Sequence, residues 1–500
     1  MRILLIYPIL DCQPVAPVGI ASLATQLNKA GHKVKLIIIN NELGYPLDPK
    51  RIYRDLCKFS ADIIAFSSVN SQYEVVIKIA DYLRSKINIP VIYGGPCPTV
   101  MPEKCLRNKS IDFVCVGEGE EAFIEFLDKY KNGKNYFDIP NIWFKQNGKM
   151  IKNPVRPPMD IKNLYPIDFS VFEEMKKILK CRDGWFDYSL IRGCPFNCSH
   201  CQSAYIHKIY KNKYYVRHAP IDIVIDNLKE IIAKYKGSID FFNFNDDTFN
   251  LNKKYLSEFC DKYKKYIFKK HGIKFNVLCR VDLFDEETCK KLKEAGVRIV
   301  KFGVESGSPR IRKQILNRNI KDKTIINAFR ICDKYKVETW AFNMIGLPTE
   351  TRKNLYSTFK LNSIIKPDNF WLSIYYPIEK TELYEFCSRN KLIKYNMLKE
   401  LRNYRTDSPI VSKHFEKGEI QTIYKIAGWI LNLYAFPRHK DKFGKLIKKV
   451  FNLKKDGAKN ESMDKFINDS NKKLDKSLNT PYYNQRFKHI AIKITNNAHV

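Results

Sequence analysis

No stretch of eighteen apolar residues occurs in this 500-residue chain, so nothing in it reads as a membrane-spanning helix. The opening Met1-Arg2-Ile3-Leu4-Leu5-Ile6-Tyr7 is too short for a signal peptide's apolar core and cleavage site, which predicts a soluble, cytoplasmic protein. The 14 cysteines are not arranged as the disulfide framework of a small secreted domain. Most, among them Cys57, Cys260, Cys332 and Cys387, fall in apolar periodic segments and are expected as core thiols. Acidic residues are few: 53 Asp and Glu face 87 Lys and Arg, a net charge of +34. Such a surplus would suit nucleic acid or anionic lipid. Yet Lys, Asn and Ile are abundant along the whole chain. Residues 401–500 hold 21 Lys and Arg against 9 Asp and Glu, only moderately above an even share, which weakens the case for one dedicated basic patch. With 44% hydrophobic and 13% aromatic residues the chain is not of disordered composition. Its length argues for two or three domains.

Three cysteines stand within eight residues, in Cys194-Pro195-Phe196-Asn197-Cys198-Ser199-His200-Cys201. Soft thiolates at C-x3-C-x2-C spacing suit an iron–sulfur cluster, and three ligands on a four-iron cube leave one iron open. A zinc site usually closes with a fourth Cys or His at similar range, for which His200 and His207 are the nearby candidates. The preceding Tyr188-Ser189-Leu190-Ile191-Arg192-Gly193 reads as a strand ending in glycine, placing the loop at a strand's carboxyl end. The run resembles the cluster loop of the radical S-adenosylmethionine (radical SAM) superfamily. That resemblance implies a [4Fe-4S] cluster on Cys194, Cys198 and Cys201, whose open iron chelates S-adenosyl-L-methionine.

From Met1 to about Tyr130, continuous apolar strands (Ile3–Tyr7, Val34–Ile39, Ile63–Phe66, Val91–Tyr93, Phe113–Val116) alternate with helical patterns. This predicts an α/β, Rossmann-like (flavodoxin-like) domain over 1–135 with ligands at the strands' carboxyl ends. The loops there carry Ser67-Ser68, Gly94-Gly95-Pro96 and Gly117-Glu118-Gly119. With Pro17-Val18-Gly19-Ile20 they resemble the cobalamin-binding domain fused to many radical SAM enzymes, which implies that these residues bind cobalamin. The first loop, Pro8-Ile9-Leu10-Asp11-Cys12-Gln13, lacks the D-x-H-x-x-G histidine of cobalt-ligating domains. His32, the single histidine of this domain, is expected to be exposed. Residues 136–183 read as a linker with a small hairpin.

Over 184–395 strand–helix pairs recur as a partial (β/α)6 TIM-like barrel needs, with strands at Tyr188–Ile191, Ile239–Phe244, Lys274–Cys279, Arg298–Phe302, Val337–Met344 and Asn369–Tyr375. The resemblance implies S-adenosylmethionine contacts at the strand ends: Asp246 and Asp247 in a D-D-x-F element, Arg280, Glu305 and Ser306 in Gly-Val-Glu-Ser-Gly-Ser, and Ile345 and Gly346 in Ile-Gly-Leu-Pro. His200 takes the place where relatives carry an aromatic residue beside the adenine. An Asx turn at Asp246 and Asp247, a salt bridge at Arg280 and a packing role for His200 are the alternatives. Ile378-Glu379-Lys380 departs from the relatives' P-x-P-G-T turn.

Residues 396–455 are expected as a helical region, with amphipathic helices at Ile420–Phe436 and Asp441–Phe451, and 456–500 as a basic, mobile tail. Such helices would cover the barrel's open mouth or make peripheral membrane contact. The whole resembles the class B methyltransferase branch of cobalamin-binding radical SAM proteins. It implies methylation of an unactivated carbon of a small-molecule, lipid or peptide substrate, with a flavodoxin or ferredoxin as electron donor. Ring closure, oxidation or rearrangement without methyl transfer is the second reading. An RNA-modifying or RNA-binding protein is the third, and no second set of cluster cysteines supports it.

Overall fold

The computed structural model describes residues 1–210, 216–400, 408–435, 440–455 and 460–477. Seven strands form the first sheet: β1 (Arg2–Pro8), β2 (Lys33–Ile39), β3 (Ile63–Ser67), β4 (Val91–Gly94), β5 (Phe113–Cys115), β6 (Ile142–Gln146) and β7 (Lys149–Lys152). Their spatial order is β2-β1-β3-β4-β5-β6-β7, and β1 to β5 run parallel. Alternate side chains enter two cores. Ile3, Leu5, Ile63 and Ala65 face one side, and Leu4, Ile6, Ile64 and Phe66 the other. Burial on both faces is why these strands read as unbroken apolar runs. The hairpin β6–β7, expected within the linker, pairs antiparallel with β5 and carries the sheet on to residue 152.

Eight further strands follow: β8 (Trp185–Tyr188), β9 (Ile191–Arg192), β10 (Arg217–His218), β11 (Phe241–Phe244), β12 (Lys274–Cys279), β13 (Val297–Glu305), β14 (Glu338–Ile345) and β15 (Asn369–Ile374). Six of them form a parallel half-barrel in the order β15-β14-β13-β12-β11-β8, while β9 and β10 make a separate antiparallel pair. The first barrel strand therefore ends at Tyr188, where the sequence placed its start. The outward residues Phe275, Val277, Val300 and Phe302 join a core that runs through Leu164, Tyr165 and Phe169 of the connecting segment to Ile3 and Leu5 of the first sheet. One continuous apolar core unites the two domains.

Two expectations fail for local reasons. His32 is buried, because it packs beside the chain's amino terminus, with Met1 N and His32 Nδ1 3.3 Å apart. This is the end of β1 opposite the ligand loops. Cys57 is exposed, since in the helix Pro49–Phe59 the buried stripe is Ile52 and Leu56 and its neighbour turns outward.

The C-terminal helices cover the side of the barrel. The expected helix at Ile420–Phe436 is two, Glu419–Lys425 and Ala427–Ala435. The second packs on the helix Arg352–Ile365, with Ile430 and Leu431 in one core with Leu355, Phe359 and Phe370. Part of the expected tail is also ordered as the helix Asn460–Ser477, whereas 478–500 lie outside the described residues. Trp429 is 2% exposed and its Nε1 donates to Asn471 Oδ1 at 2.8 Å. No helix of the described residues is long and apolar enough to cross a membrane. Trp429→Ala is expected to cost about 3–5 kcal/mol through its cavity. Asn471→Ala, which leaves an indole N–H without its partner, costs about 1–2 kcal/mol. Urea unfolding of the full chain checks both.

Candidate functional site

The path into the cysteine loop is set by a neighbouring strand. Asp246, in the loop after β11, is 1% exposed. Its Oδ1 accepts from Ser189 Oγ (2.7 Å), Leu190 N (2.7 Å) and Ile191 N (2.6 Å). Three donors on one carboxylate oxygen draw residues 189–191 out of the sheet, which is why β8 stops at Tyr188. One oxygen of Asp246 is thus committed to the protein itself, and Oδ2 is buried without a partner. Burial raises the pKa of Asp246 to about 6, against the hydrogen bonds from Ser189, Ile191 and Leu190. Because the folded value lies above the ordinary 3.8, its stabilisation is full below the ordinary value and is lost as pH rises through 6. By linkage the change amounts to about 3 kcal/mol. Asp246→Asn, which keeps an acceptor and removes the charge, is expected to unfold at a higher temperature than wild type at pH 8 and to flatten the profile between pH 4 and 6. Thermal unfolding of the cluster-free protein over that range is the check.

The cysteine loop is then clamped from the far side of the barrel. Ser199 N donates to Leu316 O (3.2 Å), Ser199 Oγ donates to Ile315 O, and Leu383 N donates to Ser199 O (2.8 Å). Asn317 Nδ2 reaches Asn197 O at 2.8 Å. Cys194 and Cys198 are 9% and 7% exposed, and Cys201 is half-buried. Cys194 Sγ lies 3.7 Å from Thr248 Oγ1. Among the described residues no three His, Cys, Asp or Glu side chains converge as ligands of a single metal ion. A cube that takes one thiolate at each of three corners asks for a wider spread, and this all-sulfur donor set on one clamped loop fits it.

Two guanidiniums meet at the middle cysteine. Arg280 Nη1 is 3.9 Å and Arg318 Nη1 3.6 Å from Cys198 Sγ. Arg280 forks onto Asp282 (3.0 and 2.8 Å) and lies 3.5 Å over the Phe196 ring, so its bidentate face is taken by a near neighbour in sequence. Arg318 Nη2 donates to Gly303 O (2.8 Å). Glu305, half-buried with φ 65°, faces both arginines, and burial raises its pKa against their attraction. His200 is kept neutral: burial, then Arg318, lowers its pKa to about 3. Asp247 is exposed and accepts from Ser203 Oγ at 2.8 Å. Arg318 was missed from the sequence, because Leu316-Asn317-Arg318 stands 120 residues from the thiol that its guanidinium meets.

Other expected contacts are engaged elsewhere. Ser306 is 0% exposed, with its Oγ against Thr358 Oγ1 and Ser308 N. A side chain at Gly307 would collide with the Ser357 carbonyl, so that glycine serves helix packing. Ile345 lies in the core with Trp429. Gly346 packs beside Ile420, and its N–H, like that of Leu347, is held by buried Glu350.

The expected cobalamin loops converge at the carboxyl ends of β3, β4 and β5. Cys97 N donates to Ser68 O (2.9 Å), and Ser67 Oγ lies against the Gly95 backbone. Ser68 Oγ turns inward to Tyr93 Oη (2.5 Å). Gly94 ends β4, and Pro96 opens the short helix Pro96–Val100, which packs on Gln202–Ile209 of the barrel domain. Gln202 Nε2 donates to Pro96 O at 3.0 Å. The third loop is an interdomain junction. Tyr210 Oη accepts from Glu118 N (2.7 Å) and occupies the space that a side chain at Gly117 would need. Glu118 pairs with Arg217, and with Arg192 at 3.5 Å. Arg192 Nη2 donates to Glu120 Oε1 (2.6 Å) and Ser22 Oγ (3.0 Å). Gly119 precedes the helix Glu120–Lys131. The Ser67–Ser68 and Gly94–Pro96 loops thus lie side by side at one end of the sheet, whereas the Glu118 carboxylate is committed to two arginines.

Two family models match the chain: a B12 binding domain over residues 13–127 and the radical SAM superfamily over 188–361. An uncharacterized methyltransferase of Pyrococcus horikoshii is 30% identical over 430 residues, 84% of this chain and 88% of that protein. An anaerobic magnesium-protoporphyrin IX monomethyl ester cyclase of Synechocystis is 22% identical over 77% of this chain and 76% of the relative. Among solved structures, the cobalamin-dependent S-adenosylmethionine radical enzyme OxsB superposes with a TM-score of 0.67 at 14% identity, covering 100% of this chain and 84% of that one. The radical S-adenosylmethionine methyltransferase TsrM of Kitasatospora setae gives 0.63 at 16% identity, over 79% and 77%. With both domains matched in this order and a relative alike over most of its length, the chain belongs to the cobalamin-dependent radical SAM methyltransferase family.

Proposed function

We propose that this protein methylates an unactivated carbon of a small-molecule, lipid or peptide substrate at the interface of its two domains. The observation that carries the reading is that the flanks of one cysteine loop touch two loops of the first domain. Arg192, two residues before Cys194, binds Glu118 and Glu120, and Gln202, just after Cys201, binds Pro96. Bound there, the cluster would supply one-electron cleavage of S-adenosylmethionine, with a flavodoxin or ferredoxin as electron donor, and cobalamin would supply the methyl group. The chain's own residues orient and enclose. Cys194, Cys198 and Cys201 hold the iron, and Asp246 and Ser199 fix their loop. Ser67, Gly95 and Pro96 would hold the corrinoid at the strand ends of the first domain, while Asp247, Glu305 and His200 line the cofactor side.

The test uses anaerobically reconstituted protein with S-adenosylmethionine labelled in its methyl group. Label in product supports the reading. 5′-Deoxyadenosine formed with no label in product favours ring closure, the chemistry that the cyclase relative's name carries.

A further inference from the structure

The three thiols have unlike surroundings. Cys194 faces the neutral hydroxyl of Thr248, and Cys201 lies next to Gln202 and Ser203 at the start of a helix. Cys198 alone is met by two guanidinium N–H groups, from Arg280 and Arg318. Both side chains are fixed without the thiol. Arg280 is held by the Asp282 fork and the Phe196 ring, and Arg318 by the Gly303 carbonyl. The two residues are 9% and 8% exposed, so water screens them little.

We propose that Arg280 and Arg318 are positioning residues that raise the reduction potential of the cluster by donating charged N–H bonds to a single thiolate, that of Cys198. This rests on the reading that the three cysteines carry the cluster. Reduction adds one electron to an assembly whose thiolates are already negative. Hydrogen bonds to sulfur and nearby positive charge favour the reduced form. The carboxylates of Asp282 and Glu305 hold the guanidiniums in place and temper their charge. The arrangement makes one corner of the cube electropositive before any other cofactor binds.

The experiment is a redox titration of the reconstituted protein, without S-adenosylmethionine or cobalamin, followed by the electron paramagnetic resonance signal of the reduced cluster. Arg318→Gln and Arg280→Gln are each expected to lower the reduction equilibrium constant about tenfold, a fall of about 59 mV for one electron. Thr248→Val, at the neutral neighbour of Cys194, stays within about threefold of wild type. Glutamine variants that hold wild-type iron and sulfide and reduce at the wild-type potential overturn the proposal. If Arg318→Gln does not take up iron, Arg280→Gln decides, since the loop's backbone bonds do not involve Arg280. Failure of both to bind iron also overturns it, because the pair would then be structural. Absence of a cluster from wild type would instead refute the proposed function.

Discussion

Cys198→Ala is expected to strip the reconstituted protein of its iron and to abolish 5′-deoxyadenosine formation, while the fold and corrinoid uptake persist. Cys198 contributes a small buried side chain at the centre of a loop that is held by other atoms: Ser199 through Leu316 and Leu383, Asn197 through Asn317, and the approach at 189–191 through Asp246. Removing one sulfur from this frame costs about 1–2 kcal/mol of stability. The chemical loss is of another order, because a cube with two remaining thiolates is not retained, and no neighbouring Cys or His completes a site among the described residues. Iron analysis, far-ultraviolet circular dichroism and the corrinoid absorbance band separate the two effects. Loss of the corrinoid band together with the iron would show that the first domain does not hold its ligand independently.

The second large effect is expected at the junction between domains. Arg192→Ala removes the cation that Glu118, Glu120 and Ser22 share. Glu120 has a side chain only 6% exposed and would be left as an uncompensated buried charge, a loss of about 3 kcal/mol. Burial opposes ionisation of Glu120, but Arg192 outweighs it, so its carboxyl sits below the ordinary range. Wild type therefore keeps this contribution above the ordinary carboxyl pKa and loses it as pH falls through the depressed value. In Arg192→Ala burial is opposed only by the hydrogen bonds from the Ser22 hydroxyl and the backbone, so the carboxyl pKa moves up and the variant should gain on wild type as pH is lowered toward 4. The double variant Arg192→Ala/Glu120→Gln is expected to recover at least about 1 kcal/mol of the loss at pH 7. Chemical denaturation of the four proteins in this cycle measures it. Additive losses would mean that the two side chains are not coupled.

The architecture was legible because its strands are covered on both faces and its helices are not, so the period changes visibly between Ile3–Tyr7 and the helix that follows. The three cysteines stood out by their spacing, and the structure keeps them on one clamped loop. What remained hidden was contact at long range. Tyr188-Ser189-Leu190-Ile191 is as apolar as a strand, and nothing local reveals that Asp246, more than fifty residues later, pulls it away from the sheet. Glu118 looked like a ligand residue for its place in a glycine-flanked loop, yet its charge is answered by Arg217 and Arg192 from the other domain. Arg318 carried no local signal. Cys57 failed for a finer reason: a helix stripe is narrow, and one residue beyond Leu56 the direction turns by about 100°.

The hairpin β6–β7 shields what would otherwise be a bare margin of hydrogen-bonding groups along β5. Its outermost strand carries Lys149 and Lys152, charged residues of the kind that discourage a second molecule from docking there. A fragment trimmed at residue 135 would lose that guard and present β5 to other copies of itself. One ending near 155 would keep that margin closed, although either cut would bare the apolar face that Leu164, Tyr165 and Phe169 cover in the full chain.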